Sequence, residues 1–277
     1  MDLSSLRRFT QLASTVFTNS FFASYATKAV NTNSLKGVCV PILNCYSCPS
    51  ALFSCPIGTL QHFSAMHVIP FYALGLIGAV GTVVGRMPCG WICPFGFIQD
   101  LMYKIRSRKY RIPQIFTYVK YLVLLFLVFI IPFKAGEPWF CKLCPAGTLS
   151  AHVPWLVWNP VNPATGLPVM ADAGGLEFYT SVLILAIFLV WFVLSKRPFC
   201  RVVCPMGALL SFFNSVSMVQ LEVVPACDGC ATCEDNCPMD LNVYEEIGSK
   251  ECILCLECTR CGHVRVMTPF ALPEEVR

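Results

Sequence analysis

Charge is scarce in this sequence: 13% of its 277 residues are Asp, Glu, Lys or Arg, about half the share usual in a soluble domain. That shortage, beside 56% hydrophobic residues, excludes an ordinary water-soluble globule and points to a bilayer. The net charge of +4 is too small to argue for nucleic acid. No small-residue cleavage site follows Arg7 and Arg8, so the first apolar stretch reads as an uncleaved anchor and not a removable signal. What the chain has in excess is cysteine, eighteen in all. Disulfide scaffolds are short, secreted and rarely so apolar, whereas these cysteines recur at C-x-x-C and C-x-x-x-C spacings, which favours metal ligation.

Hydropathy places spans at Ala65 to Val84, Tyr118 to Phe133 and Phe178 to Leu194, with Lys120 snorkelling to the interface. Phe9 to Val30 is a fourth candidate, rich in Thr, Ser and Asn, with a surface-lying amphipathic helix as its alternative. Basic residues crowd two connections, one holding Arg86, Lys104, Arg106, Arg108, Lys109, Arg111 and Lys120, the other Lys196, Arg197 and Arg201. By the positive-inside rule those connections are cytoplasmic, as are both termini if all four candidates span. The segment from Asn159 to Gly175, rich in Pro, Gly and Asn, reads as an outer surface loop.

One pattern occurs four times: Cys55-Pro-Ile-Gly-Thr-Leu, Cys93-Pro-Phe-Gly-Phe-Ile, Cys144-Pro-Ala-Gly-Thr-Leu and Cys204-Pro-Met-Gly-Ala-Leu. Proline after the cysteine suits the first turn of a helix, whose N–H would be unpaired in any case. Each repeat therefore predicts a short helix with free amides and a positive dipole end facing an anionic thiolate group. Topology sorts the cysteines by side. Cys89, Cys93, Cys200 and Cys204 fall inside, the four thiolates that a [4Fe-4S] cluster needs. Six fall outside, and repeat symmetry selects Cys48, Cys55, Cys141 and Cys144 for a second cluster. Cys39 and Cys45 are left as alternative outer ligands, since Cys45-x-x-Cys48 is itself ligand spacing. Zinc and buried apolar cysteines are the competing readings.

The chain then changes character after Val219, giving an expected division into a transmembrane iron-sulfur anchor, 1–219, and a small domain, 220–277. Cys227-x2-Cys230-x2-Cys233-x3-Cys237-Pro238 is the bacterial ferredoxin run, whose fourth cysteine crosses to the other cluster. A second run, Cys252-x2-Cys255-x2-Cys258-x2-Cys261, is one residue short and ends in Gly262 where proline is usual. Crossing groups Cys227, Cys230, Cys233 and Cys261 around one [4Fe-4S] cluster, and Cys252, Cys255, Cys258 and Cys237 around another. So short a segment cannot fold on area burial alone and leans on its clusters. Asp228, Glu234, Asp235, Glu245, Glu246, Glu251 and Glu257 give it an acidic face, either solvated or a dock for a basic partner.

These motifs resemble those of the membrane polyferredoxins of the NapH and NosR type, over essentially the whole chain. The resemblance rests on Cys89-Gly-Trp-Ile-Cys93-Pro, Cys200-Arg-Val-Val-Cys204-Pro and the ferredoxin runs; Cys39-Val-Pro-Ile-Leu-Asn-Cys45-Tyr-Ser-Cys48-Pro departs from the simplest members. It implies a membrane all-α fold of four transmembrane helices with short Cys-Pro-started re-entrant or interfacial helices, plus a C-terminal two-cluster ferredoxin-like α+β module. It implies a multi-pass protein of the bacterial or archaeal cytoplasmic (inner) membrane that passes electrons within a larger redox complex. The function expected is conduction through [4Fe-4S] clusters, and no residue is assigned a catalytic role. The alternative is a quinol dehydrogenase subunit, with His62, His67 or His152 bonding a quinone oxygen or ligating haem, although none of the three has a paired-haem partner. His263 beside Cys261 reads as a surface histidine.

Overall fold

The structure, a computed structural model, describes residues 3–27, 31–158, 175–227 and 229–268. It is mostly helical. Among the described residues two helices are long and apolar enough to cross a membrane, Gln114–Ala135 and Gly175–Leu194, and they enclose the expected spans that begin at Tyr118 and Phe178. Leu122, Leu125, Phe126, Leu183, Ile187 and Val190 stand exposed on their outer faces, surface that hydrocarbon covers and water would not. The third expected span is shorter than its hydropathy suggests. A turn at Met66–Pro70 cuts it, leaving Phe71–Val84, 14 residues or about 21 Å of helix. The expected loop at 159–174 lies outside the described residues.

The span expected over Phe9 to Val30 is not one helix. A helix runs Leu3–Thr18 instead, followed by a short turn of helix at Ala23–Thr27, and residues 28–30 lie outside the described residues. Its amphipathicity is inverted. Ser4, Arg7, Gln11 and Thr18 are buried, while Leu6, Phe9, Leu12, Val16 and Phe17 face outward. The polar face is spent on the protein: Gln11 Nε2 donates to Gly90 O at 2.9 Å, and Ser14 Oγ to Ile92 O at 2.8 Å. The Thr, Ser and Asn content that weakened the hydropathy thus serves packing contacts.

Each Cys-Pro repeat opens a helix. Pro56–Ala65, Pro94–Tyr103 and Pro205–Asn214 begin directly after Cys55, Cys93 and Cys204, and the helical stretch 145–158 follows Cys144. The cysteine is extended and proline occupies the first turn; the helix after Cys204 is capped by that cysteine's own sulfur, and no side chain caps those after Cys55, Cys93 and Cys144. Between the second and fourth repeats the core is aromatic: Phe95 meets Phe199 and Phe192 edge-on at 5.1 and 5.6 Å, all three buried.

The chain after Val219 forms two short antiparallel strands, β1 (Gln220–Val223) and β2 (Val264–Met267), with Gln220 opposite Met267. They close a loop-rich segment over the connections that carry the basic residues. Glu251 takes both Arg86 and Lys120, each fully buried. Asp240 takes Lys196 at 3.0 Å and Arg201 at 2.9 Å, Glu257 takes Arg7 at 3.1 Å, and Glu234 takes Arg111. Much of the acidic face is therefore committed to the chain's own anchor; Asp228 lies outside the described residues.

Candidate metal centres

Cys89, Cys93, Cys200 and Cys204 lie within charge range of one another in every pairing. Helix starts from two separated stretches supply them, two thiols from each. Gly207 N donates to Cys204 Sγ at 3.3 Å and Gln99 Nε2 to Cys200 Sγ at 3.1 Å. Two buried guanidinium groups flank the group: Arg197 Nη1 donates to Cys89 O at 2.8 Å, while Arg86 leaves Nε and Nη2 buried without a partner.

A second group of the same build gathers around Cys45. Cys45, Cys55, Cys141 and Cys144 are again within mutual charge range in every pairing, and all four line one small cavity with Phe140 and Gly147. Gln61 Nε2 donates to Cys141 Sγ at 3.0 Å, the counterpart of Gln99. Cys48, expected here by repeat symmetry, is turned away. Its sulfur lies 3.5 Å from Ser50 Oγ and 3.7 Å from Asn19 Oδ1. A tight turn joins the two, Cys48 N donating to Cys45 O at 3.0 Å, and Cys48 stays within charge range of Cys45. Cys39 Sγ sits 3.3 Å from Thr59 Oγ1.

The tail groups its thiols by crossing. Cys237, Cys252, Cys255 and Cys258 are close in every pairing and line a common cavity with Leu241 and Ile253. Cys233 lies near Cys227 and Cys261, with Cys230 exposed at the edge. The two runs share a backbone device. Gly229 and Ala231 flank Cys230 in the left-handed region, φ 70° and 57°, as Leu254 and Leu256 flank Cys255, φ 46° and 62°. Left-handed leucine is strained, and a loop that holds it points successive amides into one concavity, the form that receives anionic groups.

Among the described residues no three His, Cys, Asp or Glu side chains gather tightly enough to hold a single metal ion; what the thiols offer is sets of four, the number a [4Fe-4S] cluster takes. Burial pushes the Cys252 thiol up to about 11 and the Cys255 thiol to about 12, so binding a cation there displaces protons. A Cβ on Gly147 would fall 3.5 Å from Cys45 Sγ and 3.3 Å from Cys141 O, filling the cradle between the thiols.

Close approaches link neighbouring thiol groups. Leu43, two residues before Cys45, brings its backbone N–H within reach of the Cys93 thiol. A Cβ on Gly90, beside Cys89, would come within 2.6 Å of Ile253 O and 3.6 Å of Cys255 Cα. The helical turn Glu257–Cys261 then joins Cys258 to Cys261. Of the histidines, His67 stacks edge-on against Phe133 at 4.2 Å and His152 meets Ser181 Oγ at 3.2 Å. Sequence reasoning missed the glutamines, although both stand six residues after a Cys-Pro cysteine, and it missed the facing arginines, each three residues before a cysteine of its group.

Comparison with known proteins places this arrangement. The 4Fe-4S binding domain family matches residues 66–113, 119–159 and 178–218. An uncharacterized protein of Methanocaldococcus jannaschii is 31% identical over 195 residues, covering 67% of this chain and 72% of its own. The ferredoxin-type protein NapH of Escherichia coli is 26% identical over 221 residues, 73% of this chain and 69% of its own. The regulatory protein NosR of Stutzerimonas stutzeri is 26% identical over 187 residues, 63% of this chain but 23% of its own. No solved structure matches.

Proposed function

The chain belongs to the 4Fe-4S-binding family of membrane polyferredoxins and carries [4Fe-4S] clusters, and from that premise we propose that it conducts electrons through four such clusters in series, as a subunit of a larger redox complex. A cluster supplies one-electron exchange, and the protein's part is to space, bury and tune it. The ligands we assign are Cys45, Cys55, Cys141 and Cys144 for the first, Cys89, Cys93, Cys200 and Cys204 for the second, Cys237, Cys252, Cys255 and Cys258 for the third, and Cys227, Cys230, Cys233 and Cys261 for the fourth. The carrying observation is the pair of close approaches at Leu43 and Gly90, which bring successive thiol groups together along the chain. The hydrocarbon core is about 30 Å thick, so a conductor needs its outer centre drawn inward, and the approach of Leu43 to Cys93 supports that. With the basic connections on the cytoplasmic side, the Cys45 group lies toward the outside and the ferredoxin-like tail, from residue 220, in the cytoplasm.

Iron and acid-labile sulfide, counted on anaerobically purified protein, test the assignment. Cys45→Ala should lose about four irons per chain, one cluster's complement, whereas Cys48→Ala should lose none. Loss on Cys48→Ala with retention on Cys45→Ala would overturn the first ligand set.

One observation favours a quinone-coupled second reading. An open cavity of about 810 Å³ lies between the start of the Gln114–Ala135 helix and the tail, lined by Tyr118, Tyr121, Phe212, Arg201 and Lys250. Aromatic walls with two cations and the carboxylates of Glu246 and Glu251 suit the flat ring and polar oxygens of a quinone head group. Quinol-dependent bleaching of the iron-sulfur absorbance by the isolated protein, abolished by Tyr121→Ala, is expected on that reading; no bleaching removes it.

A further inference from the structure

The two membrane groups share a plan, which makes their one large difference informative. Both combine thiols from two Cys-Pro helix starts, and both receive a glutamine amide on a sulfur, Gln61 on Cys141 and Gln99 on Cys200. Only the Cys89 group is flanked by buried guanidinium groups. Arg86 stands three residues before Cys89, and Arg197 three before Cys200. Each crosses to the opposite half: Arg86 Nη2 lies 3.1 Å from where a Cβ on Gly207 would sit, and Arg197 Nη1 3.4 Å from the same position on Gly96. Each holds its carboxylate with other atoms. Glu251 meets Arg86 Nη1, and Asp100 meets Arg197 Nε and Nη2. That leaves Arg86 Nε and Nη2 buried without a protein partner. At the equivalent places around the Cys45 group, Pro138 stands three residues before Cys141 and Ile42 three before Cys45. The half-buried Lys36 acts on Cys45 by charge, with its Nζ donating to Cys48 O at 2.9 Å.

We propose that Arg86 and Arg197 are a matched tuning pair that makes the Cys89 centre the more readily reduced of the two membrane centres, so that electrons pass from the Cys45 centre inward. Reduction adds one negative charge to a centre already anionic through its thiolates. Cations held against it in a site closed to water stabilise the reduced form more than the oxidised one. In the transfer the Cys45 centre loses one electron and the Cys89 centre gains it, with no bond made or broken and no proton required. The inference rests on the reading of both groups as cluster sites.

EPR-monitored redox titration of the full chain tests it, with iron and sulfide counted on every sample. Gln61→Leu and Gln99→Leu identify the signals, since each removes an amide from one centre only. In the unsubstituted chain the signal that moves in Gln61→Leu should titrate at the lower potential. Arg86→Gln and Arg197→Gln should each lower the other signal by at least tenfold in its reduction constant, about 59 mV for one electron, while Arg86→Lys, which keeps the charge, should shift it less. Unmoved midpoints in iron-replete Arg→Gln chains, or the reverse order in the unsubstituted chain, would overturn the proposal. If Arg86→Gln loses its iron, the order in the unsubstituted chain decides. An unsubstituted chain that lacks iron and sulfide at these centres would instead sink the cluster reading beneath it.

Discussion

Glu251→Ala should destabilise the docked tail by about 3–5 kcal/mol, the cost of leaving buried charge without its partner. The carboxylate is the shared counter-ion of Arg86 and Lys120, both wholly inaccessible to solvent. Removing it leaves two cations facing each other in a closed site. Burial alone would raise the Glu251 carboxyl, but the Arg86 and Lys120 charges outweigh it and hold the group below the usual carboxylate range. Arg111→Ala is the control. It also removes a salt bridge between anchor and tail, to Glu234, but Arg111 is 64% exposed and solvent already screens the pair. Denaturation in detergent, followed by proteolysis of the segment after Val219, should show early release of the tail in Glu251→Ala and none in Arg111→Ala. Equal effects would mean that the ion pairs do not distinguish latch from ornament.

Local chemistry was legible in the sequence; long-range pairing was not. Cys-Pro-x-Gly dictates a helix start wherever it occurs, because proline fits the first turn and the amides beyond it are free, and all four repeats do open helices. The reading of Cys89, Cys93, Cys200 and Cys204 as one group came from the three residues between the cysteines of each pair and from both pairs sitting on connections rich in Lys and Arg. The loop before Cys55 gave no such guide. Nine residues without helical period separate Cys45 from Cys55, and nothing in them says which of Cys45 and Cys48 faces the other thiols. Equally, nothing local in Glu251 names Arg86, 165 positions away. The N-terminal segment shows the limit of hydropathy: its polar residues were counted against a membrane helix when they are the face that binds the protein.

Iron removal is expected to unfold the tail while the membrane helices stay intact. Between residues 220 and 268 the regular structure amounts to two four-residue strands and two single turns of helix. A two-stranded sheet is marginal in water by itself, and a segment this short lacks the core to offset its chain entropy. Its buried apolar residues, among them Leu221, Met239, Leu241 and Ile253, pack around the Cys237 and Cys252 thiols and not around one another alone. The left-handed Leu254 and Leu256 add backbone strain that an empty loop has no reason to keep. Structural zinc gives a sense of scale for thiolate sites, about 10–16 kcal/mol of coupled folding free energy, more than the ion pairs to the anchor supply. The membrane helices have no such dependence, because their backbone hydrogen bonds are internal and lipid enforces them. After anaerobic chelation, hydrogen exchange should therefore rise throughout 224–263 and stay low in Gln114–Ala135 and Gly175–Leu194. A tail that remains protected without iron would show that the anchor, through Glu251, Asp240 and Glu257, holds the fold by itself.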